Sequence, residues 1–358
     1  MYKKSDFKYI DNDDLYFSTL KGDGIYCWNN GTDVDPTDVT GKQQCPVFMN
    51  IKTEENFLLK KILLPQYMEQ YEAAILNPPK TDRVICPVDL ISLHEHNVSV
   101  NFCEHLFGMA AENGMEDQVC DHAFLFPYKS YGVAKTVQDE LADVKELCWK
   151  DPRVQKVMAH ILEAFQKLNA EHYWCYDFDF SHMYIRNDQS IIFEFSNLII
   201  EQTDESVKKK LRKQVKMIKG TYPYEFAEPA LISGKVKMAD ANMQNYSLAA
   251  MLFYLMIGRY PYDGALLAGL TDNNIVEHEH RFEVYHKNPI FIFDENENNA
   301  NRLGFFAADQ RSIDLWNELP EKIQSCFRNV LNKRNAQRNA PFTNPTPGWW
   351  LEHLALLQ

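Results

Sequence analysis

The rhythm of apolar and polar positions changes near residue 127. Before it, short apolar runs alternate with turn-forming residues. Leu15–Leu20, Gly24–Trp28 and Val47–Lys52 have strand character, Asn29-Asn30-Gly31 reads as a turn, and residues 33–44 form a polar, acidic loop. Between Thr53 and Leu76 the residues Phe57, Leu58, Ile62, Tyr67, Tyr71 and Ile75 recur at helical spacing, which predicts a helix stopped by Asn77-Pro78-Pro79. Val84–Leu93 and Ala123–Phe126 predict two further strands around an ordered insertion at 97–120. After Pro127 the period becomes helical. Val133–Cys148 and Val154–Ala170 are amphipathic, Ser247–Ile257 is apolar nearly all round and so buried, and Ile313–Asn332 and Gly348–Leu357 close the chain. A strand pair, Met183–Ile185 and Ile191–Phe193, interrupts the helices. Strands first and helices after give an α+β, two-lobe architecture: an extension at 1–14, a strand-rich N-lobe at 15–127 and a helical C-lobe at 128–358.

A chain of 358 residues, 45% apolar and 24% charged, is long and apolar enough to bury real cores. Its net charge of −13 argues against nucleic acid as a partner, because phosphate contacts need clustered Lys and Arg. The eight cysteines are scattered without a CxxC pair, so neither a zinc site nor a disulfide framework is implied. Reduced thiols fit a cytoplasmic protein. The N-terminal residues lack the apolar core of a signal peptide, and the longest apolar run, Leu248–Ile257, is too short to span a bilayer, so no membrane association is expected. Two His-Glu-His triplets, His94–His96 and His278–His280, have a spacing that suits one strand face. Neither has an evident third ligand, and both read as surface or packing residues.

The chemistry concentrates in Tyr176-Asp177-Phe178-Asp179-Phe180-Ser181-His182, with Glu194-Phe195-Ser196 beginning twelve residues after His182. The carboxylate of Asp177 is followed by a potential metal ligand five residues on, and then by a carboxylate-Phe-small triplet after a strand pair. Further upstream stand Gly22-x-Gly24 with Cys27 after it, Met49-Asn50-Ile51-Lys52, and Phe126-Pro127-Tyr128. Downstream, Ser247-Leu248-Ala249 leads to Gly258-Arg259-Tyr260-Pro261-Tyr262-Asp263-Gly264, and then to Asn288-Pro289-Ile290-Phe291-Ile292-Phe293-Asp294. Together, across residues 15–357, these segments resemble the protein kinase fold. The nearest resemblance is to bacterial kinase-like proteins encoded beside phosphatase and von Willebrand-type partners.

That resemblance implies ATP with Mg²⁺ or Mn²⁺, and a protein substrate or partner. Gly22 and Gly24 would let backbone N–H groups approach phosphates. Lys52 would pair with the α- and β-phosphates, unless a shift of one inward position puts Asn50 there. Its carboxylate partner would be Glu72, or Glu69 one helical turn earlier. Phe126-Pro127-Tyr128 would be the inter-lobe hinge whose backbone hydrogen-bonds adenine, and Asp177 would orient the acceptor hydroxyl. Glu194 replaces the metal-binding Asp and His182 replaces the Asn that holds a second ion; imidazole suits Mn²⁺ better than Mg²⁺. Tyr176 replaces the Arg before the catalytic Asp, and Gln244 replaces a buried Asp that braces the catalytic loop. Gly220-Thr221-Tyr222-Pro223 to Phe226-Ala227-Glu228-Pro229 is similar to the segment ending Ala-Pro-Glu. The Arg that pairs with its Glu is replaced by Asn344, so that ion pair is expected to be lost. The basic run at 207–216 falls where substrates dock, as a solvated face or a strip for an acidic partner. Three functions stay open on these residues: a Ser/Thr protein kinase, a pseudokinase scaffold for a protein partner, and a kinase-fold enzyme performing another ATP-dependent transfer.

Overall fold

A computed structural model describes residues 16–17, 20, 26–33, 46–50, 53–61, 68–92, 122–127, 135–176, 178–195, 198–201, 205–206, 209, 224–236, 240–268, 275–295, 298–304, 306–307, 309–339 and 341–357. The architecture is mixed α+β. In chain order the strands are β1 (Tyr16–Phe17), β2 (Tyr26–Asp33), β3 (Pro46–Asn50), β4 (Asn56–Lys61), β5 (Val84–Ile85), β6 (Asp89–Ser92), β7 (His122–Pro127), β8 (Lys135–Thr136), β9 (Tyr173–Cys175), β10 (Met183–Ile185), β11 (Ile191–Glu194) and β12 (Leu198–Ile200). The helices are α1 (Met68–Leu76), α2 (Val137–Leu141), α3 (Pro152–Ala170), α4 (Pro229–Ile232), α5 (Ala241–Ile257), α6 (Ile275–Lys287), α7 (Asp309–Asn317), α8 (Glu321–Leu331), α9 (Lys333–Ala336) and α10 (Pro347–Leu354). The chain divides into two compact units. The first is Met1–Lys135 with Ile185–Asn187 and Ile192–Asn197; the second holds the remainder.

The first unit is built on an antiparallel sheet of order β1-β2-β3-β4-β7-β6. Its β3–β4 hairpin turns where Glu54 adopts the left-handed conformation at φ 56°. There Asn50 N donates to Glu55 O at 2.9 Å, and Glu54 N donates to Asn50 O at 2.8 Å. Where a helix was expected from Thr53 onward, Asn56–Lys61 is a strand, and the described helix spans Met68–Leu76. Phe57 and Leu58 point to opposite faces of β4 and are both buried, so the strand is covered on both faces there. A strand covered on both sides loses its alternation, and its apolar run imitated helical spacing. The expected turn at Asn29-Asn30-Gly31 is instead a bulge inside β2. Trp28 pairs with Phe48 and Asp33 with Pro46, so four intervening residues on β2 face one on β3. Val84–Leu93 is two strands rather than one: Pro87 separates them, β5 pairs in parallel with β11, and β6 pairs antiparallel with β7. The insertion at 97–120 lies outside the described residues, as does His94–His96.

The second unit is helical. Pro152 opens α3 behind Asp151, whose side chain accepts from Arg153 N. Buried nearly all round, as expected, α5 ends at Gly258, which is left-handed at φ 71°. A Cβ there would also lie 2.7 Å from Leu147 O, so glycine is required twice over. The helix expected over Val133–Cys148 is only the five residues of α2, opened by a Thr136–Asp139 capping box. Beyond it the backbone finds tertiary partners instead, with Trp149 N donating to Met256 O and Arg311 Nη2 donating to Leu147 O, both at 2.9 Å. Ile313–Asn332 is likewise split into α7 and α8 at Pro320. Helix α6 was not anticipated. It contains His278–His280, and residues two apart on a helix are turned by about 200°, so the triplet does not present one face. Among the described residues no helix is long and apolar enough to cross a membrane.

The two downstream sequence motifs meet in this unit. Ile292 N donates to Pro261 O at 3.1 Å, and the buried Asn301 side chain donates to Tyr262 O and Ile290 O, both at 2.8 Å. Phe253 of α5 closes the core beneath them against Phe291, Trp316 and Phe327. At Gly264 a Cβ would lie 1.8 Å from Asn301 O, a backbone atom that cannot step aside. Gly264→Ala is therefore expected to destabilise the protein by at least about 1–3 kcal/mol, read from the midpoint of a urea unfolding curve. An unchanged midpoint would show that this contact does not hold the two motifs together.

Candidate functional site

Glu194 ends β11 and is 3% exposed, paired in register with Ile85. The next residue, Phe195, sets its ring edge-on to Tyr71 of α1 and to Phe124 of β7, with centroids 5.7 Å away in each case. Tyr71 and Phe124 complete the triangle at 5.2 Å. All three rings are buried, so Phe195, the only helix in the described part of this unit and strand β7 are fixed to one another. Glu72 follows Tyr71 and is half-buried, whereas Glu69 is exposed, which favours Glu72 of the two candidates. Phe126 is fully buried opposite Leu58. Gly22, Gly24, Lys52 and Tyr128 lie outside the described residues.

The order of the sheet offers a second candidate lysine beside Lys52. The resemblance calls for a lysine on the strand leading directly into the helix that carries its carboxylate. Strand β3 ends at Asn50, and β4 follows it before α1. Strand β4 reads Asn56-Phe57-Leu58-Leu59-Lys60-Lys61, and Lys60 is the register partner of Phe124. Residues directly opposite on neighbouring strands belong to the same face. Position 60 is therefore on the face where Phe124 meets Tyr71 and Phe195. The signal missed in the sequence was the Leu-Leu-Lys-Lys run, hidden inside a mistaken helix.

In the second unit, β9 pairs with β12 and leads into the Tyr176–His182 segment. Cys175 N donates to Gln244 Oε1 at 2.8 Å, and Gln244 Nε2 donates to Asn169 Oδ1 at 2.7 Å. Gln244, which stands where the resemblance has a bracing Asp, thus bonds the backbone just before the Tyr176–His182 segment. Tyr176 is buried, and Phe178 stacks on Phe165 at 5.4 Å and 6°. Asp179 caps the turn at Phe180–His182, accepting from Ser181 N at 2.8 Å and Ser181 Oγ at 2.7 Å. Asp177, between these fixed neighbours, lies outside the described residues. His182 is half-buried here, while Glu194 belongs to the first unit. Among the described residues no three His, Cys, Asp or Glu side chains stand together as a metal site. One carboxylate and one imidazole do not make up the oxygen-rich set that Mg²⁺ requires.

The expected loss of the ion pair at Glu228 is also corrected. Glu228, 1% exposed, is gripped by Arg338 through Nε–Oε1 at 2.7 Å and Nη2–Oε2 at 2.8 Å. The same guanidinium holds Asp240 through two bonds of 2.8 Å. Burial pushes the Glu228 carboxyl up while Arg338 pulls it down. Burial also works against the charge of Arg338, but its two carboxylates outweigh that and hold the guanidinium protonated. Asn344, expected in the arginine's place, is buried and ties itself to Asn242 and Asn335 instead. The arginine stands six residues earlier, ahead of the Pro-containing stretch that enters α10.

No family model matches the chain, and no curated protein matches it. Geometry alone therefore carries the site. Arg338→Met leaves Glu228 buried without its fork and is expected to cost about 3–5 kcal/mol. Adding Glu228→Gln should recover part of that loss, because the stranded charge is gone. Urea unfolding of both variants measures it; equal stability of wild type and Arg338→Met would deny the clamp its role.

Proposed function

We propose that the chain is a two-lobe, protein-kinase-like protein that binds ATP and transfers its γ-phosphate to Ser or Thr of a protein substrate. The observation that carries this reading is the packing of Phe195 against Tyr71 of α1 and Phe124 of β7, Phe124 being the register partner of Lys60 on β4. Three features support it: the amide brace from Gln244 to Cys175, the Glu228–Arg338 anchor, and the joining of the two downstream motifs. In this reading Lys60 takes the phosphate-pairing role first assigned to Lys52, Glu72 orients it, and Phe126 and Tyr128 border the adenine. Asp177 orients the acceptor hydroxyl and takes its proton. Glu194 and His182 would be two of the donors to a divalent ion, whose remaining ligands would have to be oxygens of the nucleotide and water. Transfer of this kind is mostly placement and electrostatics, so a set of fixed neighbours around Asp177 is what the chemistry needs.

A second reading, a pseudokinase scaffold, is favoured by one observation. Tyr176 fills with a buried aromatic ring the position that the resemblance gives to an arginine. The two readings separate on the purified protein incubated with ATP and either Mn²⁺ or Mg²⁺. Mass spectrometry should show added phosphate on protein substrate or on the chain itself, falling by about 10²–10⁴-fold in Asp177→Asn. Equal signal from wild type and Asp177→Asn retires the enzyme and leaves the scaffold.

Nucleotide binding has its own readout. ATP at about 100 times its Kd should stabilise the fold by about 2.7 kcal/mol, seen as a raised melting temperature. Lys60→Met is expected to abolish that rise and Lys52→Met to keep it. The reverse pattern would return the role to Lys52.

A further inference from the structure

Within the second unit, a cavity of about 420 Å³ opens between α2 with the stretch after it, the turn at Phe180, the end of α5, and α7. A space of this size holds a small organic molecule. Its walls are largely apolar. Leu141 and Val144, both buried, line it together with Phe180 and Tyr254, whose rings pack at 6.2 Å. Arg311 of α7 lines it too, and its guanidinium is held in place. Its Nε bonds Glu146 Oε2 at 2.8 Å, and its Nη2 donates to Leu147 O at 2.9 Å. The third nitrogen, Nη1, has no acceptor among the described residues and lies only 3.1 Å from where a Cβ on Gly258 would be. Lys145, exposed on the same wall, has no ion pair or hydrogen bond among the described residues. The charged side chains that line the cavity are Lys145, Glu146 and Arg311. Glu146 is already answered by Arg311, so one positive charge is left over. The acidic Glu140 and Asp143 of the same stretch do not line it.

We propose that this cavity binds a small monocarboxylic acid with an apolar body. The carboxylate accepts charge-assisted hydrogen bonds from Arg311 Nη1 and from Lys145, and the body covers the apolar walls, removing them from water. Because the other two nitrogens of Arg311 already fix its guanidinium, little side-chain freedom is lost when the acid arrives. A neutral ligand of the same shape leaves the surplus positive charge unanswered, and a bare inorganic anion leaves the walls wet. Phe180 belongs to the turn that follows Asp177 in the chain, so an occupant rests against the segment proposed for the chemistry. The remaining surface candidate, a groove between α8 and α10 lined by Cys326, Phe342 and Trp349, has nothing near it that says what covers it.

The test reads binding alone and holds whether or not the chain transfers phosphate. The probes are para-fluorophenylacetate and its neutral amide, para-fluorophenylacetamide, each titrated with the full-length protein and followed by broadening of the fluorine NMR line. The acid is expected to bind about tenfold more tightly than the amide. Ala142 lines the cavity from an exposed position, so Ala142→Trp fills the space without touching the core and should abolish the broadening. Lys145→Gln should narrow the difference between acid and amide by about threefold. Both substitutions are at exposed positions, and an unchanged urea midpoint separates a filled or discharged cavity from a damaged fold. No broadening of the acid at about 10 mM, equal affinity for acid and amide, or acid binding undiminished in Ala142→Trp overturns the proposal.

Discussion

One guanidinium organises the second unit. Arg338 spends all four of its strong hydrogen bonds on two carboxylates that are 110 and 98 residues away in sequence. It does so from the left-handed region, at φ 48°, a conformation that costs a non-glycine residue about 1–3 kcal/mol unless its surroundings hold it there. One of its partners, Glu228, starts α4 and fixes the Tyr224–Ala227 turn before it. The other, Asp240, is also the N-cap of α5, where it accepts from Met243 N at 2.8 Å. Helix α5 then presents Gln244 one turn further on, and Gln244 reaches Cys175, two residues before Asp177. A single fork thus connects the stretch before α10, the anchored segment, the start of the central helix and the loop that carries the proposed catalytic carboxylate.

The swaps that made the sequence look degenerate read differently once these bonds are known. An amide at Gln244 accepts the same kind of backbone N–H that a carboxylate would, and burying a neutral amide costs far less than burying an unpaired charge. Its second group is satisfied by Asn169, so nothing is left stranded. Glu228 has an arginine partner, six residues before the place the resemblance gives it. The remaining departures from that resemblance, Tyr176, His182 and Glu194, are at positions proposed for the chemistry. The scaffold around those positions is that of a fold under tight constraint.

How much of this was legible in the sequence follows from the range of the interactions involved. Helices α3 and α5 were readable because their caps and apolar periodicity are local: Asp151-Pro152 opens one, and an unbroken apolar stretch closing at Gly258 marks the other. The pair of strands β10 and β11 was readable for the same reason. Strand β4 was not, since a strand covered on both faces carries no alternation, and its two lysines were thereby assigned to the wrong element. Pro320 was visible in the sequence but was overridden by the helical spacing on either side of it. Arg338 could not be read at all, because an ion pair formed across a hundred residues leaves no spacing to recognise. Of the candidate site, Glu72, Phe126, His182 and Glu194 were named from sequence and have described positions. Lys60 and Gln244's actual bond needed the sheet order and the coordinates of α5.

The most direct measurement is an experimental structure of the protein with a non-hydrolysable ATP analogue and Mn²⁺. The account predicts the triphosphate against β4, with Lys60 Nζ within about 4 Å of both a phosphate oxygen and a Glu72 carboxylate oxygen. A nucleotide held by Lys52, or none bound at saturating concentration, would contradict it.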